Sequence, residues 1–153
     1  MKVERKLKEL GLELPDAPKP VANYVTAVRS GNLVFLSGHG PVKEDGTLMT
    51  GKVGTDRTWE QGYEAAKRVT LGLLSSLKAE IGGLDKVRRV VKLFGMVNCT
   101  PDFEDQPKVI NGASDLLVEL FGEKGKHARS AVGMNSLPSN ISVEIEMIVE
   151  VED

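Results

Sequence analysis

The stretch HARSAVGMNSLPSNISVEIEMIVEV, residues 127–151, concentrates side chains that could do chemistry: Arg129 at one end, and Glu144 and Glu146 in the middle of a strand. An arginine presents a planar fork of N–H donors that pairs bidentately with a carboxylate. A partly buried glutamate can take a proton from water or return one to a departing amine. The same three residues also have a plainer reading, in which Arg129 forms an ion pair with Glu144 or Glu146 across an interface. Which reading holds depends on the elements that position them.

Alternation along the last strand places Ile141, Val143, Ile145, Met147, Val149 and Val151 on one face, as expected for a strand packed under helices. Ser142, Glu144, Glu146, Ile148, Glu150 and Glu152 take the other face. In the preceding strand Val132 and Met134 suit the core, which leaves Arg129, Ala131, Gly133 and Asn135 opposite. A tight Leu-Pro-Ser-Asn turn makes the two strands hairpin neighbours, so that Arg129, Glu144 and Glu146 all point away from the helices. That second face is either solvated or an oligomer surface, and the small Ala131 and Gly133 beside Ile148 would permit close approach of another subunit. With the turn centred on Pro138-Ser139, Glu144 falls near Gly133, about 13 Å along the strand from Arg129. Either strand twist and a ligand bridge that gap, or a neighbouring subunit completes the site.

Upstream, Val3 to Leu10 reads as a short helix with Val3, Leu7 and Leu10 on one face. Pro15, Pro18 and Pro20 then hold the chain extended. NYVTAVRSGNLVFLSG reads as a strand pair with a Ser-Gly-Asn turn, followed by a Gly-rich loop with a short strand near Thr47 to Gly51. Thr58 and Gln61 form a capping box ahead of a long helix, whose apolar positions Trp59, Tyr63, Ala66, Thr70, Leu73, Leu77 and Ile81 recur at helical spacing. Gly82-Gly83 ends it. DKVRRVVKLFGMVN is β-branched and reads as a strand. A second helix carries Val109, Ile110, Ala113, Leu116, Leu117, Leu120 and Phe121 and closes at Gly122. The expected fold is α+β: a two-layer sandwich with a mixed sheet, two long helices on one face and a short N-terminal helix. One domain spans 1–153, with 1–20 as helix and Pro-rich extension and 21–152 as core.

The totals exclude several classes. A chain of 153 residues, 41% hydrophobic and 27% charged, fits one globular core. No window approaches the ~18 uninterrupted apolar residues of a membrane span. The start, MKVERKLKEL, lacks the apolar segment of a signal peptide. The single cysteine, Cys99, fits a reducing, cytoplasmic setting and reads as a small strand-end hydrophobe. A net charge of −2 and two histidines argue against an RNA-directed role, which needs a basic track for phosphates. SGHG matches no phosphate-loop pattern. On residue type alone Tyr24 is an ordinary hairpin aromatic, Asn111 a helix-surface residue, His39 a hydrogen-bonded loop residue and His127 exposed.

ARSAVGMNSLPSNISVEIEMI is similar to the C-terminal signature of the Rid/YjgF family of reactive-intermediate (enamine/imine) deaminases: Arg-Ser, an alternating strand, a Leu-Pro turn, then Val-Glu-Ile-Glu. NYVTAVRSGNLVFLSGHGPV resembles its N-terminal hairpin and INGASDLLVELFG its second helix, so the resemblance runs from Val21 to Val151. It implies a chorismate-mutase-like fold assembled as a homotrimer, with sites in clefts between subunits. It also implies hydrolysis of 2-aminoacrylate-like enamine or imine acids to 2-keto acids and ammonia. A protonated imine is already electrophilic, so no metal or bound cofactor is called for. By position, Arg129 matches the residue that grips the substrate carboxylate and Glu144 the acid that handles the attacking water. Tyr24, Ser37, Gly38, His39, Asn111 and Ala131 match positions lining the cleft. Ala131 stands where the family usually has cysteine, and His39 where many members have glutamine. A non-catalytic trimer binding small carboxylate metabolites is the alternative.

Overall fold

The computed structural model describes residues 2–19 and 23–153. Pro20 of the expected extension and Val21, the expected start of the core, lie outside the described residues. The elements are α1 (Lys2–Glu9), β1 (Ala27–Ser30), β2 (Leu33–His39), α2 (Trp59–Ile81), β3 (Val87–Asn98), α3 (Gln106–Phe121), β4 (Ala128–Met134) and β5 (Val143–Val151). The five strands form one mixed sheet in the order β1-β2-β5-β3-β4, with α2 and α3 packed together on one face. The expected two-layer α+β sandwich is the observed fold.

The helices begin and end where local chemistry requires. Thr58 Oγ1 accepts from Gln61 N at 3.2 Å, and Gln61 Oε1 accepts from Thr58 N at 2.9 Å, a complete capping box. Gly82 caps the other end of α2. On α3, Val109, Ile110, Ala113, Leu116, Leu117 and Leu120 turn inward, and on β5 the alternating Val143, Ile145, Met147, Val149 and Val151 are all buried beneath the helices. Gly95 on β3 sets the height of α3 above the sheet. A Cβ there would stand 2.6 Å from Ile110 Cδ1, closer than van der Waals contact allows. At the N-terminus, α1 buries Val3 and Leu7 but leaves Leu10 exposed, and the Asp85 carboxylate accepts from the Lys2 and Val3 backbone N–H groups.

Four expectations are corrected. β4 and β5 are not hairpin partners, because β3 lies between them: β4 runs parallel to β3 (Leu93 beside Arg129), while β5 runs antiparallel to it (Met96 beside Glu144). The Leu-Pro-Ser-Asn turn does form, Asn140 N donating to the Leu137 carbonyl at 3.0 Å, but the segment 135–142 that holds it crosses the end of β3 and does not join adjacent strands. It carries two left-handed residues, Ser139 and Asn140. Asn98 Nδ2 donates to Asn140 Oδ1 and the Ile141 carbonyl, and Lys52 Nζ to the Asn135 carbonyl. Second, the faces of β4 are the reverse of those expected. Strand partners point to one side, so Arg129 shares the helix face with buried Leu93, while Val132 shares the bare face with Met96 and Glu144. Third, Thr47–Gly51 is no strand; the loop has only isolated bridges, Val42 to Leu48 and Thr50 to Ile141. Fourth, β1 starts only at Ala27, so Tyr24 and Val25 are exposed ahead of it.

Among the described residues no helix is long and apolar enough to cross a membrane. The sheet face without helices carries Val28, Leu33 and Phe35, all exposed, along with Ile148 and Phe94.

Candidate active site

Arg129 opens β4, the last strand of the sheet, and its side chain meets α3. Its NH1 donates to Asn111 Oδ1 at 2.8 Å and to Ser114 Oγ at 3.1 Å. Asn111 and Ser114 are three residues apart and so share a face of α3. Among the described residues, neither Nε nor NH2 of Arg129 has a hydrogen-bond partner, and no carboxylate pairs with it. A half-buried guanidinium is thereby held along one edge, while its Nε–NH2 edge, the one that can bond a carboxylate bidentately, is left open. Ala131, two residues along and on the same face, is half-buried against the core.

The second cluster lies at the other side of the sheet. Register shifts between Leu36 and His39, so that Ser37 and Gly38 together face the span of one β5 residue. Gly38 has no side chain because Glu144 occupies that space: a Cβ would fall 2.0 Å from Glu144 Oε2. Burial raises the Glu144 carboxyl above the usual glutamate range, and the negative charge of Glu146 pushes the same way. Ser37 Oγ donates to the Thr26 carbonyl at 3.3 Å. His39 is buried, with Nδ1 2.6 Å from the Ser37 carbonyl and Nε2 2.7 Å from Ser76 Oγ. These partners make Nδ1–H the donor and Nε2 the acceptor from the Ser76 hydroxyl. Burial holds the imidazole below its ordinary pKa, against the opposing Ser37 carbonyl. His39 therefore buttresses the β2 bulge from behind. Tyr24, Ser37, Gly38 and His39 line one cavity of about 180 Å³, together with Pro15, Pro18 and Lys19 of the N-terminal extension.

The sequence-predicted residues thus fall into two groups, Arg129–Asn111–Ala131 and Tyr24–Ser37–Gly38–His39–Glu144. Within one chain the groups do not meet. Arg129 and Glu144 are two strands and three register steps apart, about 10 Å in each direction, and on opposite faces of the sheet. No three- or four-carbon ligand touches both.

Two residues of the first group were not legible as such. Ser114 anchors the guanidinium, and His127, expected to be exposed, is half-buried with Nδ1 2.6 Å from the Gly125 carbonyl and Nε2 2.9 Å from Ser114 Oγ. The Asn-x-x-Ser spacing on α3 and the His-x-Arg spacing entering β4 were the available signals. Among the described residues no group of three His, Cys, Asp or Glu side chains is placed to hold a metal ion.

The family described as "YjgF/chorismate mutase-like, putative endoribonuclease" matches residues 4–151. The chain belongs to the Rid/YjgF family. Among its YjgF relatives, Protein TCP17 of Trypanosoma cruzi is 43% identical over 153 residues, covering 99% of this chain and 96% of that one. The 2-iminobutanoate/2-iminopropanoate deaminase of Dermatophagoides farinae is 32% identical over 142 residues, covering 92% and 95%. The crystal structure of Atu1372 from Agrobacterium tumefaciens, a protein of unknown function, superposes with a TM-score of 0.92 at 45% identity, covering 99% of this chain and 93% of that one. The two-layer fold derived above is the YjgF fold these proteins share.

Proposed function

We propose that this YjgF protein hydrolyses small 2-imino acids, and the enamines that tautomerise to them, to 2-keto acids and ammonia. The observation that carries this reading is the Arg129 guanidinium, anchored on one edge by Asn111 and Ser114 and open on the other, with no carboxylate paired to it among the described residues. A substrate carboxylate fits that edge bidentately. Resemblance to the Dermatophagoides deaminase supports the same reaction class.

The separation of Arg129 from Glu144 leads to the second part of the proposal: the site is built between copies of this chain, Arg129 coming from one and Glu144 from its neighbour. A homotrimer packed through the helix-free face would bury Phe35, Leu33 and Val28. In such a cleft a water attacks the C=N carbon while the Glu144 carboxylate takes its proton. The carbinolamine then receives that proton on nitrogen, and as the C–N bond breaks its hydroxyl proton passes back to the Glu144 carboxylate, so that the carbonyl forms while ammonia leaves. Protonated imine and water enter; keto acid and ammonia depart, and the proton left on Glu144 goes out with the ammonia as ammonium. A carboxyl with a raised pKa suits both halves of this exchange. Ala131 in place of cysteine removes nothing from it, because water is the nucleophile.

Ammonia and keto-acid release from enzymatically generated 2-aminoacrylate tests the reading, comparing wild type, Arg129→Ala and a protein-free control. Acceleration by wild type alone supports it. Keto-acid binding without any acceleration, by an intact oligomer, would instead favour a carboxylate-binding module.

A further inference from the structure

We infer that His127 is a positioning residue: acting through Ser114, it fixes the Arg129 guanidinium so that the Nε–NH2 edge faces the ligand carboxylate. The inference rests on the carboxylate-binding reading of Arg129 given above.

The hydrogen bonds leave one consistent arrangement of protons. His127 Nδ1 lies 2.6 Å from the Gly125 carbonyl, which can only accept, so Nδ1 carries the proton and Nε2 is the acceptor. Ser114 Oγ, 2.9 Å from Nε2, must then donate its single proton to the imidazole. That fixes the hydroxyl rotor and turns its lone pairs toward Arg129 NH1 at 3.1 Å. Asn111 Oδ1 accepts from the same NH1 at 2.8 Å. Gly125, His127, Ser114 and Arg129 therefore form one directional chain, in which the imidazole decides where the serine proton points. Without an acceptor at Nε2 the hydroxyl can rotate and present its proton toward the guanidinium, and the anchor on NH1 weakens.

Protonation of His127 has the same effect by another route. Ser114 would then stand between two donors, and an imidazolium would share the hydroxyl with a guanidinium. Burial keeps the His127 pKa below the ordinary value. The Gly125 carbonyl opposes that, and the Arg129 charge adds to it. Of the other charges nearby in the chain, Glu123 and Lys126 of the 122–126 turn pair with each other at 2.9 Å in solvent. Lys92 of β3 is the strand partner of Ala128, on the opposite face from Arg129. On α3 the groups that face the imidazole and guanidinium are the neutral Ser114 and Asn111.

The test titrates 2-oxobutanoate into wild type, Arg129→Ala, Ser114→Ala, His127→Asn and His127→Gln by calorimetry, with deaminase kinetics alongside. A glutamine carbonyl reaches roughly where Nε2 sits, and an asparagine reaches only the Nδ1 position. The expected result is about tenfold weaker binding for His127→Asn and Ser114→Ala, the loss of one charge-assisted hydrogen bond. His127→Gln is expected to recover most of it, and KM to rise more than kcat falls. Binding abolished by Arg129→Ala but untouched by His127→Asn and Ser114→Ala would overturn the inference and leave the carboxylate reading standing. Binding untouched by Arg129→Ala would overturn both. Should a variant fail to fold, the wild type suffices: 2-oxobutanoate affinity must fall as pH drops through the His127 midpoint followed by NMR. An affinity indifferent to that titration contradicts the inference.

Discussion

Replacing Gly38 with alanine would set a methyl carbon 2.0 Å from Glu144 Oε2 and 3.0 Å from its carboxyl carbon. Ordinary contact begins at 3.4 Å, so the carboxylate must withdraw by at least the difference, 3.4 − 2.0 = 1.4 Å. The obstructed atoms are the far end of a flexible side chain, and the backbone at Gly38 is not left-handed. The fold can therefore accept alanine for well under the ~1–3 kcal/mol of core overpacking. Chemistry is less forgiving, because misplacing a reacting group by about 1 Å costs on the order of 100-fold. Gly38→Ala should melt within a few degrees of wild type while imine hydrolysis falls about 100-fold. Paired measurements of thermal unfolding and ammonia release check it. Full activity in a folded Gly38→Ala protein would refute the reasoning, because Glu144 could not then be handling water from its observed position.

The proposed hydrolysis uses Glu144 as carboxylate, so its rate should fall as pH drops through a pKa lying above the usual glutamate range. Glu146→Gln removes one cause of that elevation and should move the acid limb to lower pH, read from a kcat/KM profile. The stability sign is the reverse of a salt-bridged acid: with the folded pKa raised, this group's contribution to stability grows as pH falls through it. Gly95→Ala drives a methyl into three Ile110 carbons, all closer than 3.0 Å, and should cost about 1–3 kcal/mol in urea unfolding. It should also weaken keto-acid binding, because α3 carries Asn111 and Ser114. Thr58→Ala breaks the capping box and should cost about 1 kcal/mol with catalysis unchanged.

The parts legible in the sequence were those set by local pattern. The capping box at Thr58, the helical repeat of α3 and the strict alternation of β5 each report burial on one side, and all three are where the pattern put them. β4 escaped because it is a sheet edge. Most of its residues are half-buried, and alternation carries little information where neither face is fully dry. Its partner was hidden too, since parallel pairing with β3 is a long-range contact made across α3, while Leu-Pro-Ser-Asn is a true local turn that imitates a hairpin. Assigning Val132 and Met134 to the core reversed the β4 faces, and the hairpin pairing set Arg129 and Glu144 on one face of adjacent strands, about 13 Å apart along them. The resemblance put Asn111 among the positions lining the cleft; that its side chain holds the Arg129 guanidinium is visible only in the packing of α3 on β4. Ser114 and His127 carried no apolar period or family motif to mark them, and only the packing of α3 on β4 shows what they hold.

Mixing two inactive variants tests the shared site most directly. Arg129→Ala and Glu144→Gln protein, denatured and refolded together at equal amounts, should regain about a quarter of wild-type activity, because one cleft in four draws an intact arginine and an intact glutamate from different chains of a cyclic assembly. Each variant refolded alone should stay inactive. A mixture no more active than its parents, with mixed oligomers confirmed by mass, would contradict a site built between copies of this chain.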